Sequence, residues 1–157
     1  MSMTAPKDIT EIFGPVIAAI TRADLIEEGA LIPADPDKAR DARLIFPVAF
    51  TAAAHTKCVA WDDKDTQRTG VYQDQGGREW DVLSQAGRAF RAFCAKHPTI
   101  SLQEVHRIPL RVALVPRDLP PSRLREEDIL DVVHLVLTIG PGDDGEPVLT
   151  IMLPNED

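Results

Sequence analysis

The chain has 157 residues, of which 44% are hydrophobic and 27% charged, and its formal net charge is −8. This size and balance suit one domain with a single core and exclude a fibrous or low-complexity polymer. No run approaches the roughly 18 apolar residues that span a bilayer, no apolar stretch follows a basic start, and two cysteines do not make a disulfide framework.

The expectation is a soluble, cytoplasmic single domain over residues 1–157 that touches no membrane. Charge is uneven along it. From Ala86 to Arg125 eight bases stand against two acids, +6, and the remainder carries −14.

Residues 1–6 read as frayed, and Lys7–Phe13 as a short helix that Gly14-Pro15 stops. Val16–Ile20 is an apolar run of strand character. Thr21 with Asp24 three residues on is a capping signature, predicting a helix through Glu28 that Gly29 ends. Asp35–Arg43 is polar and reads as loop with one helical turn. Pro47 suits a helix start, and Phe50, Ala54, Cys58 and Trp61 fall on one face of a helix running to Trp61. Asp62–Gly70 is charged and reads as loop; Val71–Trp80 reads as a hairpin turning at Gly76-Gly77.

The clearest helix starts near Asp81, with Leu83, Ala86 or Gly87, Phe90, and Phe93 or Cys94 along one stripe, and His97-Pro98 ends it. Ile100–Ile108 and Leu110–Val115 read as extended, and Pro109 between them predicts an edge strand or a bend. Asp118–Asp131, with Pro120-Pro121 and a short exposed helix at Ser122–Asp128, reads as a surface insertion. Two strands follow, Val132–Ile139 and Val148–Leu153, joined by a reversal in which Gly140, Gly142 and Gly145 are free to take positive φ. The first is apolar on both sides, as an interior strand is. The predicted class is α+β: a mostly antiparallel sheet with helices packed on one face and a C-terminal β-hairpin.

Four patterns carry candidate chemistry. His55 with Cys58 and Cys94 with His97 are Cys/His pairs three residues apart on predicted helices, a spacing that presents both ligands on one helix face for zinc. Both cysteines also fall on apolar stripes, where a buried structural thiol is the simpler reading. Asp143, Asp144 and Glu146 form an acidic turn, read either as a cation site or as a solvated reversal whose carboxylates cap their own backbone. Trp61 and Tyr72, with Trp80, flank a charged segment and either pack beneath it or form a recognition surface. Arg88 and Arg91 head the basic stretch. His106 and His134 lie within predicted strands without Asp or Ser partners in view. The chain carries no nucleophile elbow, phosphate-binding loop or His-Glu-x-x-His motif, so no catalytic residue is assigned and no cofactor is called for.

Cys58-Val-Ala-Trp61, Thr66 and the block Val71–Leu83, together with Gly140–Asp157, Gly14-Pro-Val-Ile and Thr21-Arg-Ala-Asp, make a recognisable set. This set resembles a family of small uncharacterised bacterial proteins often encoded on conjugative plasmids and integrated mobile elements. The resemblance spans most of the chain except Asp118–Asp131, and it implies no catalytic residues. Its genetic company implies a role in maintaining the element or blunting host defence.

The leading functional reading is a non-enzymatic protein whose acidic surface, centred on the C-terminal turn, binds a host or element-encoded protein. Two alternatives stand beside it. One is a nucleic-acid accessory protein using the bases of residues 86–125. The other is a zinc protein built on His55, Cys58, Cys94 and His97. A homodimer through an uncovered sheet edge is the expected form of any self-association.

Overall fold

A computed structural model describes residues 20–120 and 129–157. The predicted segments at Lys7–Phe13, Val16–Ile20 and Ser122–Asp128 lie outside the described residues, apart from Ile20 itself. The first described element, α1 (Arg22–Glu28), is capped as the sequence predicts. The Thr21 hydroxyl accepts from the Asp24 N–H, the Asp24 carboxylate accepts from the Thr21 N–H, and Gly29 closes the helix at φ 83°. β1 (Leu31–Pro33) leads to α2 (Pro36–Asp41), a short helix where loop is predicted. Asp35 accepts from the N–H groups of Asp37 and Lys38, and Pro36 needs no partner at the first helical position.

The predicted helix from Pro47 to Trp61 is instead a strand, β2 (Val48–Thr51), followed by α3 (Ala52–Cys58). Val48, Ala49 and Phe50 are all buried because β2 lies inside the sheet, and Thr51, in extended conformation, caps α3 through its side chain. Phe50, Ala54, Cys58 and Trp61 are all buried, but from a strand, a helix and a loop rather than one helix face.

Two further predictions are corrected by caps. Asp62 and Asp65 form a reciprocal capping box that turns the charged segment into α4 (Asp63–Thr69), closed by Gly70 at φ 71°. The Asp74 carboxylate accepts from the Gly76 N–H and opens α5 (Gln75–Lys96), so the predicted hairpin at Gly76-Gly77 is the first turn of a 22-residue helix. Gly76 and Gly77 do not have positive φ.

The rest of the chain builds the sheet. β3 (His106–Leu114) runs as one strand through Pro109 and pairs antiparallel with β4 (Asp131–Pro141), which pairs antiparallel with β5 (Pro147–Met152). The strand order is β1-β2-β5-β4-β3. Three pairings are antiparallel and β2–β5 is parallel. Pro109 has no N–H to give a further strand, which its edge position tolerates; the other edge, β1, carries Pro33. In the turn after β4 only Gly145 has positive φ, 82°. Space is tight at Gly142, where an added Cβ would displace the Glu146 carboxylate and lie 2.8 Å from Val148 Cγ1.

One sheet face carries Ile108, Leu110, Leu135, Leu137, Ile139, Leu149 and Ile151 and packs on Leu83, Ala86 and Phe90 of α5 and Ala54 and Cys58 of α3. Burial of each such large side chain contributes about 1.5–3 kcal/mol. The class is therefore α+β as expected, with a sheet that is mixed rather than purely antiparallel. The Arg22 side chain reaches the opposite face, where it donates to Thr150 Oγ1 (2.8 Å) and to the Leu149 carbonyl (2.8 Å). No described helix is long and apolar enough to cross a membrane.

Candidate functional site

The α5 surface that faces away from the sheet is shaped by one tight crossing. α2 ends at Ala42, and the chain turns back so that the Leu44 N–H reaches the Ala39 carbonyl and the Arg43 N–H the Arg40 carbonyl. This places Arg43 at φ 63°, the left-handed position after a helix that glycine ordinarily fills. For a side chain as large as arginine that conformation costs about 1–2 kcal/mol. The turn presses against α5 at Gly87, where an added Cβ would meet the Ala42 oxygen at 2.1 Å. Arg91 Nη1 donates to the same oxygen at 2.9 Å.

Beside this crossing lies a recess of about 320 Å³. Trp80, Ser84, Arg88 and Arg91, spaced by four, four and three residues along α5, form one wall, and Asp41 and Arg43 form the other. Trp80 is 39% exposed, and Arg43, Arg88 and Arg91 are exposed. Among the described residues none of these three guanidinium groups has a carboxylate ion-pair partner, and Asp41 is the one acid in the wall.

A second, wider cavity of about 490 Å³ lies by α4, lined by Thr56, Lys57, Asp65, Arg68, Arg117 and Asp118. Asp65 is 7% exposed. Burial pushes its carboxyl pKa up, but the Asp62 N–H, Arg117 and Arg68 outweigh that and hold it well below the usual range. Arg117 donates from Nε to Asp65 Oδ2 at 3.0 Å and from Nη1 to the Thr56 carbonyl at 3.3 Å, and Arg68 also donates to the Arg117 carbonyl.

Behind them Arg78, 1% exposed, gives its guanidinium to the carbonyls of Val59, Val115 and Lys57 and stacks 4.8 Å over the Trp61 ring. The group ties α3, α5 and the end of β3 together. Asp65, Arg68 and Arg117 are engaged with one another, and a carboxylate held this firmly ionised has no proton to give near neutral pH.

The structure redistributes the residues singled out from sequence. Asp143 accepts from the Arg22 and Ala23 N–H groups (2.7 and 3.0 Å), capping α1 from a turn more than a hundred residues away. Glu146 accepts from the Asp144 N–H within the turn. Trp61 is core, with its indole N–H on Thr66 Oγ1, whereas Tyr72 is 78% exposed. The bases of residues 86–125 separate: Arg88 and Arg91 lie on α5, Arg117 binds Asp65, and Arg107 and Arg111 share the sheet face turned away from α5. Arg107 there donates to the carbonyls of Pro154 and Glu156. Arg123 and Arg125 lie outside the described residues.

The zinc quartet is not brought together as a site. Among the described residues no group of three or more His, Cys, Asp or Glu side chains is placed to hold a metal. His55 packs edge-on to Phe50 and burial pushes its pKa down, Cys58 is fully buried, Cys94 is half-buried, and His97 lies against Phe93. His106 bonds the Ser101 carbonyl, and His134 is exposed opposite Arg111. The residue that sequence reasoning missed is Arg43. Its role depends on a backbone angle and on a neighbour 44 residues away, Gly87, and a polar segment rich in Asp and Pro gives no sign of either.

A family model described as a family of unknown function (DUF6573) matches residues 112–157. The match covers the end of β3, all of β4 and β5 and the Asp143 turn, and none of the α5 recess. No curated protein and no solved structure matches the chain.

Proposed function

We propose that this protein is a non-enzymatic interaction module that binds an acidic segment of another protein in the recess between α5 and the turn after α2. One observation carries the reading: three guanidinium groups without carboxylate partners among the described residues line a recess with a half-exposed tryptophan, in a chain with 25 acids. Like charges set together repel, and the arrangement becomes favourable when an anion fills it. Arginine and tryptophan are also the residues that dominate protein-binding hot spots.

The proposed contact surface is the recess rather than the acidic turn, where Asp143 and Glu146 already accept backbone N–H groups. Two of the groups that acid–base or thiol chemistry would use are tied into the fold as well, Asp65 by ion pairing and Cys58 by burial that pushes its thiol up to about 11. The bacterial mobile-element setting implied by the resemblance belongs to the same proposal, and makes the partner a host protein or one encoded alongside. The test is capture of partners by the unaltered protein and by an Arg88→Glu/Arg91→Glu variant whose folded state is checked by circular dichroism. A partner lost only from the variant is the expected result. A partner retained by the variant, or none enriched by either, refutes the reading.

A further inference from the structure

Resting on that reading, we infer that Arg43 is a specificity-determining binding residue held in an unfavourable backbone conformation for its ligand, and that the ligand is a pair of side-chain carboxylates flanking an apolar residue. The fold alone gives Arg43 no reason to be arginine. Its position after α2 has φ 63°, where glycine is the default. Its side chain has no hydrogen bond or ion pair among the described residues, yet it lines the recess with Arg88 and Arg91. A residue that strains the backbone without contributing to packing points to function.

The walls specify the ligand. Planar guanidinium forks match carboxylates two bonds at a time. Arg43, beside Asp41, stands on one wall and Arg88 with Arg91 on the other, which suits two separate carboxylates better than one compact oxyanion. Ser84 adds a hydroxyl, and Trp80 offers an apolar surface for the residue between the acids.

The probe is a synthetic pentapeptide of four glutamates around a central leucine, titrated calorimetrically at low salt into the full chain and its Arg43→Gly, Arg43→Lys and Arg88→Gln/Arg91→Gln variants. Arg43→Gly is expected to keep or raise Tm by a few degrees, as relief at a left-handed position does, while weakening the peptide about tenfold. Arg43→Lys, which keeps charge but not the fork, falls between.

If Arg43→Gly binds as the unaltered protein does while Arg88→Gln/Arg91→Gln binds weakly, the role of Arg43 is refuted and the recess stands. A marked fall in Tm for Arg43→Gly refutes the premise that the fold does not need arginine there. Competition by inorganic phosphate at concentrations similar to the peptide refutes the paired-carboxylate ligand. If the unaltered protein does not bind the peptide, both this inference and the proposed function fail.

Discussion

Replacing Gly87 by alanine tests the crossing that builds the recess. The new Cβ would stand 2.1 Å from the Ala42 oxygen and 3.2 Å from both the Ala42 carbonyl carbon and Arg91 Nη1. Carbon–oxygen contacts settle near 3.3–3.6 Å, so the turn after α2 has to retreat by about 1.2 Å. Overpacking of this kind costs about 1–3 kcal/mol. Loss of the Arg91 bond to Ala42 adds about 1 kcal/mol, and the better helix propensity of alanine returns about 1 kcal/mol.

The net expectation is a destabilisation of about 1–3 kcal/mol, or about 2–4 °C in Tm per kcal/mol for a chain of this size. Urea unfolding followed by far-UV circular dichroism measures it, with an unchanged slope marking a change in stability alone. Gly77→Ala is the control on the same helix, since a Cβ there meets nothing nearer than 3.9 Å. That variant is expected to stabilise by about 0.5–1 kcal/mol. A Gly87→Ala midpoint equal to or above the parent's would refute the close approach, and with it the placement of Arg43 beside Arg88 and Arg91.

Asp143→Ala removes both bonds to the α1 N-terminus and is expected to cost about 0.5–2 kcal/mol, with faster amide exchange at Arg22 and Ala23, whereas Asp144→Ala should stay within about 0.5 kcal/mol. The Asp65 carboxyl titrates below its unfolded value of about 3.9, so its contribution is present above that pH and is lost as pH falls below it. The stability gap between parent and Asp65→Asn should therefore be widest near pH 7 and close on acidification; a gap independent of pH contradicts the ion-paired assignment. Cys58, buried with its thiol pushed up to about 11, should resist a disulfide reagent at pH 8 in the native state, while half-buried Cys94 reacts first. Equal labelling rates would overturn that order.

Features governed by neighbours in sequence were legible without coordinates. Thr21, Asp24 and Gly29 spell a capped helix because every partner lies within one helical turn. The apolar stripe of α5 and the two-sided apolarity of β4 follow from periodicity alone, and Pro109 narrows its segment to an edge strand or a bend because a missing N–H is tolerated only there.

Where the assignment depended on distant partners, local signals misled. Val48–Thr51 is a strand because β1 and β5 flank it, although Pro47 and the apolar spacing favour a helix. Gly76-Gly77 became helix because Asp74 capped it and Arg78, one residue on, was anchored to carbonyls of three other segments. The Asp143 carboxylate stands in an exposed turn by any reading of composition, yet folding sets it against the start of α1.

The recess illustrates the same division. Arg88, Arg91 and Trp80 can be placed on one helix from spacing, but their meeting with Arg43 required the turn after α2 to dock at a position without a Cβ. Short-range hydrogen bonding and periodicity are written into consecutive residues, whereas contact between segments is set by the packing of the whole core, and only the folded chain holds that information.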